Sequence, residues 1–313
     1  MQRFLSIDDV PDLNLLVDTA LALKQDPLKF NQLGKGKTMG LIFLNPSLRT
    51  RLSTQKAAIN LGISAMVMNM NQEGWQLEFD DGTVMDAGAA EHVKEAAGVI
   101  SQYCDIIGIR TFAGLKDQEL DYKEHVLSQF TAHASVPVIS LESATLHPLQ
   151  SLADLITIEE HKRKSNPKVV LTWAPHPKAL PQAVANSFVQ WMKAAEVDLV
   201  ITHPRGYELS KDFSESVAVV PDQNNALRDA DFVYAKNWSC FENYGKILTR
   251  DPTWMVTKEK MSLTNNGQFM HCLPMRRNVI ATDDVIDQSL VLAQANNRTF
   301  AAQAVLKTIL ESI

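Results

Sequence analysis

Nine residues, Phe43–Arg51 (FLNPSLRTR), set two hydroxyls and two guanidinium groups directly behind an apolar run. An apolar run ends at Asn45-Pro46, and Ser47, Leu48, Arg49 and Thr50 then fall at a helix start, with Ser47 a good N-cap. The first backbone N–H groups of such a helix have no internal partner and lie at the positive end of its dipole. With the hydroxyls of Ser47 and Thr50 and the guanidinium groups of Arg49 and Arg51, the stretch makes a trap for a compact, multiply charged oxyanion such as phosphate.

Further polar residues follow apolar β-type runs. Arg110 follows CDIIGI, Glu142 and His147–Gln150 follow PVISL, His176 follows VVLTWAP, Lys236 follows FVYA, and Cys272-Leu273 lie within FMHCLP. In open parallel sheets ligands bind outside the carboxyl ends of the strands, so these residues are the candidate site. A lone buried histidine or arginine is usually structural, but functional groups at six strand ends, on both sheets, are hard to explain that way.

The elements that position them alternate. A helix is predicted over 12–32, strands over 38–43 and 65–70 with the helix after Ser47 running between them to Gly62, then strands at Cys104–Arg110 and Pro137–Leu141 with helices near 91–102 and 120–132. After His147-Pro148 a helix runs through LQSLADLITIEEHKRK. Strands then follow at Lys168–Ala174, Val197–His203, Asp231–Lys236 and Gln268–Pro274. Short continuous Val/Ile/Leu runs between helices mark buried parallel strands. The expected fold is α/β, with two domains, each a parallel sheet flanked by helices. The boundaries are 1–146 with the final helix 297–313, and 147–296. That final helix, amphipathic through Val305, Ile309 and Leu310, is expected to cross back onto the first domain.

The 313-residue length suits two domains of roughly 150 residues. Hydrophobic residues make up 45% and charged residues 21%, as in a globular protein with substantial cores. A net charge of -6 argues against a general nucleic-acid binder, so no nucleic-acid partner is expected. No apolar run approaches the roughly 20 residues of a membrane span, and MQRFLSIDDV carries acids where a signal peptide would be apolar, so no membrane partner and a cytoplasmic location are expected. Cys104, Cys240 and Cys272 are odd in number, widely spaced and without CxxC, which excludes a disulfide framework and argues against zinc. No metal or cofactor is expected. Gly34–Thr38 (GKGKT) looks like part of a Walker A loop, but the earlier glycine falls on Asn31 and a strand follows where a helix is needed, so a polar turn is expected.

Ser47-Leu48-Arg49-Thr50-Arg51, His147-Pro148-Leu149-Gln150 and His271-Cys272-Leu273-Pro274 resemble, in order and spacing, the three hallmark motifs of the aspartate/ornithine carbamoyltransferase superfamily. The resemblance covers essentially the whole chain. The usual Ser-Thr-Arg-Thr-Arg carries Leu48 here, Leu149 is the third residue of the His-Pro motif, and Lys236-Asn237-Trp238 takes the place of the Asp-x-x-x-Ser-Met-Gly segment by which ornithine enzymes grip a free α-amino group. With Gly74-Trp75 and Trp173-Ala174-Pro175-His176-Pro177, these departures resemble the branch that carbamoylates N-acetyl- or N-succinylornithine.

The resemblance implies carbamoyl transfer from carbamoyl phosphate to the δ-amine of an acylated ornithine, in arginine biosynthesis. The catalytic residues would be Arg49, Thr50, Arg110, His147 and Arg298. Ser47, Leu48, Arg49 and Thr50 would hold the phosphate, while Arg110, His147 and Arg298 would aim at the carbonyl oxygen, where charge develops and fixed donors are worth most. Gln150 would accept from the carbamoyl NH2, and Pro148, Leu149, Cys272, Leu273 and Trp75 would complete that subsite. Trp75 would come from a neighbouring subunit of a homotrimer. Glu142, His176, Lys236, Cys272, Leu273, Arg276 and Ala90 would bind the acylornithine, with Arg276 or Arg277 facing inward. Acetyl-specific members tend to have a glutamate at the position matching Ala90, where its charge would oppose a succinyl carboxylate, so N-succinyl-L-ornithine is the expected substrate and the N-acetyl form the alternative. The other classes weighed are a non-catalytic binding member of the fold and a nucleotide-dependent kinase or synthetase built on GKGKT.

Overall fold

The computed structural model describes residues 1–313, apart from the side chain of Asn71. The chain divides into two compact units, Met1–Leu149 with Arg298–Ile313, and Gln150–Asn297. No helix among the described residues is long and apolar enough to cross a membrane.

The first unit runs β1 (Arg3–Phe4), α1 (Leu13–Gln25), β2 (Thr38–Phe43), α2 (Leu48–Asn60), β3 (Ser64–Asn69), α3 (Met70–Glu73), β4 (Leu77–Glu78), β5 (Glu91–His92), α4 (Val93–Tyr103), β6 (Ile106–Arg110), α5 (Gln118–Tyr122), α6 (His125–His133) and β7 (Val138–Glu142). Five strands form a parallel sheet in the order β1-β7-β6-β2-β3, and β4 pairs with β5 in a separate two-stranded ladder. Central strands β2 and β6 are covered on both faces, which is why TMGLIF and IIGIR read as unbroken apolar runs. Edge strand β3 instead alternates, leaving Met66 and Met68 exposed. Small residues form the inward face of α2 (Thr50, Thr54, Ala57, Ala58), while Leu48, Leu52 and Ile59 face out. Gly62 ends the turn after α2 at φ +80, where a Cβ would come within 2.3 Å of the Asn31 carbonyl oxygen.

The second unit continues α7 (Pro148–His161), β8 (Lys168–Trp173), α8 (Ala183–Ala194), β9 (Asp198–Thr202), α9 (Lys211–Ser214), β10 (Ala218–Val219), α10 (Gln223–Leu227), β11 (Phe232–Lys236), α11 (Lys258–Met261), β12 (Gln268–Met270), α12 (Asp283–Asp287) and α13 (Val291–Leu310). Its sheet is also parallel, in the order β10-β9-β8-β11-β12. The chain enters this unit along α7 and leaves it along α13. The C-terminal part of α13 packs on the first unit, as expected. Asn60 Nδ2 donates to Gln303 Oε1 at 2.9 Å, Gln303 Nε2 donates to the Pro27 carbonyl at 2.7 Å, and Val305 and Ile309 are buried.

Several boundaries differ from the sequence reading. The helix expected over 12–32 stops at Gln25, because Pro27 disfavours helical backbone at Asp26, which sits at φ -138. The helix expected over 120–132 is two helices, broken at Glu124, whose φ is +51. The Glu124 carboxylate accepts from Ser143 Oγ at 2.6 Å, Thr145 N at 2.7 Å, Thr145 Oγ1 at 2.5 Å and Ala144 N at 3.1 Å, so this loop anchor fixes the break. Burial pushes that carboxyl above the usual carboxylate range, although all these hydrogen bonds pull it down. The β6 strand starts at Ile106 and not Cys104, since Asp105 turns to accept from Thr38 N and Lys37 Nζ. The β3 strand ends at Asn69, where Met70 opens α3. The α7 helix ends at His161, before the Ser165-Asn166-Pro167 turn, and α13 starts at Val291 and ends at Leu310. The β12 strand ends at Met270, because the His271 N–H bonds Gln294 Oε1 at 2.9 Å and Leu273 sits at φ +56. The short strands β1 and β10 carry too few residues to show a period.

Candidate active site

In the first unit β2, β6 and β7 end at one rim. Ser47 has N-cap backbone angles (φ -151, ψ 125), but its side chain makes no capping bond, contrary to the expectation for that residue. Arg49 and Arg51, on the first turn of α2, meet no carboxylate among the described residues. Thr50 turns inward and accepts from Arg298 Nη2 at 2.8 Å. Arg298 Nη1 lies 3.5 Å from His147 Nε2, and that nitrogen is 3.7 Å from Glu142 Oε2. Thr50, His147 and Arg298 are all buried, so α2, the start of α7 and α13 meet here on side chains desolvated together.

Arg110, the last residue of β6, fastens this rim. Its Nε and Nη2 donate to Glu142 Oε2 at 3.0 and 2.6 Å, and its Nη1 donates to the carbonyls of Asn45 and Pro46 at 3.0 and 3.1 Å. Expected as a donor to a substrate carbonyl, Arg110 spends four of its roughly five N–H groups on the protein, leaving one on Nη2. The Asn45-Pro46 step that precedes α2 is thus held by β6, and the guanidinium stacks 5.0 Å from the Phe112 ring centroid. Glu142, expected on the acylornithine side, is the counter-ion of Arg110.

A second cluster lies within the other unit. Arg276 Nε lies 3.3 Å from His176 Nε2, whereas Arg277 pairs with Asp283 at 2.9 Å and Asp287 at 2.6 Å on the surface. Of the two arginines it is Arg276 that joins the cluster. His176 Nδ1 lies 3.0 Å from the Lys178 carbonyl. Burial, then the neighbouring charges of Lys236, Arg276 and Lys178, holds the imidazole below its ordinary pKa against that carbonyl bond. Lys236, at the end of β11, is only 8% exposed, and its ammonium has no acceptor among the described residues. An ammonium with no protein acid beside it is open to a carboxylate ligand. Cys272 is half-buried beside the buried Tyr234 hydroxyl. The Leu273 N–H donates to His271 Nδ1 at 2.8 Å, which supports its left-handed backbone. Gln150 Nε2 donates to Asp154 Oδ1 at 2.7 Å.

Trp75 and Ala90 flank the β4–β5 ladder of the first unit. Trp75 is 54% exposed, so it is not a core indole, and its N–H donates to Glu91 Oε2 at 2.8 Å. The Ala90 N–H donates to the Gln76 carbonyl at 3.0 Å, and its side chain is exposed.

Residues 2–160 match the family model for the carbamoyl-P binding domain of aspartate/ornithine carbamoyltransferase, and residues 181–309 match that for its Asp/Orn binding domain. The chain belongs to the aspartate/ornithine carbamoyltransferase family. This carbamoyltransferase is 51% identical to an N-succinylornithine carbamoyltransferase of Bacteroides thetaiotaomicron, over 100% of both chains. It is 37% identical to an N-acetylornithine carbamoyltransferase of Xylella fastidiosa, over 99% of this chain and 98% of that one. A crystal structure of N-acetyl-L-ornithine transcarbamylase, with one glutamate replaced by alanine and complexed with carbamyl phosphate and N-succinyl-L-norvaline, matches with a TM-score of 0.94 at 35% identity, over 99% of this chain and 100% of that chain.

The strand-end reading of the sequence singles out Arg110, Glu142, His147 and Lys236, and in this carbamoyltransferase each closes or follows a strand. It does not single out Glu124, whose carboxylate organises the loop between Glu142 and His147, or Asn45, whose Oδ1 accepts from Phe112 N at 2.9 Å. An acid in the middle of a predicted helix carries no sign that the helix breaks there. The Asn45-Pro46 step reads only as a strand stop.

Proposed function

We propose that this carbamoyltransferase transfers the carbamoyl group of carbamoyl phosphate to the δ-amine of N-succinyl-L-ornithine, giving N-succinyl-L-citrulline and phosphate. The neutral δ-amine attacks the carbonyl carbon, the C–N bond forms as negative charge gathers on the carbonyl oxygen, and collapse breaks the C–O bond to phosphate. The departing phosphate takes the proton that the amine gives up, so no enzyme nucleophile is needed. The start of α2, with Ser47, the Leu48 N–H, Arg49 and Thr50, holds the phosphate. His147, Arg298 and the remaining Arg110 N–H stabilise the oxyanion, and the acceleration comes from position and fixed charge. Gln150, Pro148, Leu149, Cys272 and Leu273 hold the carbamoyl group, whereas Lys236, His176 and Arg276 hold the carboxylates of the acylornithine.

The observation that carries the reading is Lys236, a mostly buried residue whose ammonium meets no acid among the described residues, beside His176 and Arg276. A substrate with two carboxylates supplies what that cluster lacks. Exposed Ala90 supports the succinyl form, because it sets neither charge nor bulk against the second carboxylate. The N-acetylornithine relative crystallised with N-succinyl-L-norvaline has a glutamate replaced by alanine, and we propose that Ala90 is its counterpart.

The functional assembly in this proposal is a cytoplasmic homotrimer in arginine biosynthesis, with Trp75 serving the neighbouring subunit. Exposed Leu48, Leu52 and Ile59 on α2, and Met66 and Met68 on edge strand β3, support a buried subunit interface there. The test is phosphate release from carbamoyl phosphate with N-succinylornithine, N-acetylornithine and free ornithine side by side. Turnover with the succinyl form at least tenfold above the others is expected, and equal turnover of all three would reject the assignment.

A further inference from the structure

Asp154 lies on α7, one turn beyond Gln150, and is fully buried. Its Oδ1 accepts from two glutamine amides, Gln150 Nε2 at 2.7 Å and Gln294 Nε2 at 2.8 Å. Gln294 in turn presents Oε1 to the His271 N–H, and His271 Nδ1 receives the Leu273 N–H. One carboxylate therefore ties the His147-Pro148-Leu149-Gln150 motif to the His271-Cys272-Leu273-Pro274 motif. Tyr234 stands beside both Asp154 and Cys272, and its burial keeps the phenol protonated.

A glutamine side chain is nearly symmetric in shape but opposite in chemistry at its two ends, so its orientation needs an external reference. A carboxylate oxygen that receives two amide hydrogens, as Asp154 Oδ1 does, accepts and does not donate. Each glutamine facing Asp154 must therefore present its NH2 there, and its other end is then an acceptor. For Gln294 that acceptor takes the His271 N–H.

We infer that Asp154 is a positioning residue that fixes the Gln150 amide so that Oε1, and not NH2, faces the carbamoyl NH2 group. The inference rests on the carbamoyl-transfer reading above. The carbamoyl group offers two N–H donors at its nitrogen, so a reversed Gln150 would set donor against donor. Asparagine at 154 keeps the shape, but it can offer NH2 as well as oxygen and so no longer excludes the reversed amide.

The test is a double-mutant cycle on the full-length enzyme, read as kcat and KM for carbamoyl phosphate. Asp154→Asn and Gln150→Ala are each expected to lower kcat/KM by about tenfold or more, with much of the loss in KM, while the doubly substituted enzyme is no worse than Gln150→Ala within about threefold. A purely structural Asp154 would cost the same factor in both backgrounds, and that result, or an Asp154→Asn enzyme equal to the parent, overturns the inference. Gln150→Glu keeps the question open to test if Asp154→Asn does not fold. The introduced carboxylate meets Asp154, so activity should fall about tenfold below Gln150→Ala, and equality of those two variants overturns the inference as well. A parent enzyme that releases no phosphate would instead refute the functional reading.

Discussion

Arg276 Nε points at His176 Nε2 from 3.3 Å, so that nitrogen faces a donor, while Nδ1 lies 3.0 Å from both the N–H and the carbonyl of Lys178. Burial and the surrounding cations hold its pKa below the ordinary value. The unfolded chain then binds a proton at His176 before the native protein does, so this group's contribution to stability falls as pH drops through about 6.5. Histidine titration by NMR should find His176 below that value and moving up in Arg276→Ala, where one opposing charge is gone. An unchanged midpoint in that variant would break the link between the two residues.

Arg49 and Arg110 sit on the same rim but should fail differently. Arg49 meets no acid among the described residues, so Arg49→Ala should cut kcat/KM by about a hundredfold or more while moving stability by no more than about 0.5 kcal/mol. Arg110→Ala leaves Glu142 buried beside no guanidinium, and about 3–5 kcal/mol of stability should be lost with the activity. Thermal unfolding beside phosphate-release kinetics separates the two. Equal unfolding midpoints for both variants would mean that the Arg110–Glu142 pair contributes nothing to the fold.

The sequence makes legible what repeats or aligns with a period. Continuous apolar runs give β2, β6, β8 and β11 to within one or two residues, and the residues following them give most of the candidate site. Interactions across long sequence separation leave no such trace. Glu124 reads as one more helical acid until the loop at Ser143–Thr145 closes on it, and Asp154 reads as an ordinary polar position of α7 until Gln294, 140 residues away, donates to it. The start of α13 is missed for the same reason, since its N-terminal turns belong to the second unit and its remainder to the first.

Trp75 is exposed and hydrogen-bonded to Glu91 of its own chain, an arrangement that leaves the indole face open to a neighbour. If it serves the adjacent subunit, inactive Trp75→Ala and inactive Arg49→Ala proteins should complement when dissociated, mixed and reassembled. Random assortment puts an intact Arg49 beside a neighbour's intact Trp75 at about one quarter of the sites, so about that fraction of parent activity should return. A mixture no more active than its components would assign Trp75 to its own subunit.

The choice of acyl group turns on the segment before β5. Ala90 is exposed and anchored through its N–H to the Gln76 carbonyl, and the next residue, Glu91, has its carboxylate taken by the Trp75 indole. The acid nearest to Ala90 in sequence is therefore engaged by the ladder's own indole. Ala90→Glu adds a carboxylate with no such partner, and like charge and bulk should then reject the succinyl carboxylate while leaving room for acetyl. Two carboxylates brought together without a cation between them raise the cost of binding by a few kcal/mol, so kcat/KM for N-succinylornithine should fall about a hundredfold or more. Turnover of N-acetylornithine should rise or hold, reversing the preference. Side-by-side kinetics of parent and variant on both substrates decide the matter. A parent that prefers N-acetylornithine, or an Ala90→Glu enzyme with the parent's preference, would remove Ala90 from the selectivity device and leave carbamoyl transfer itself standing.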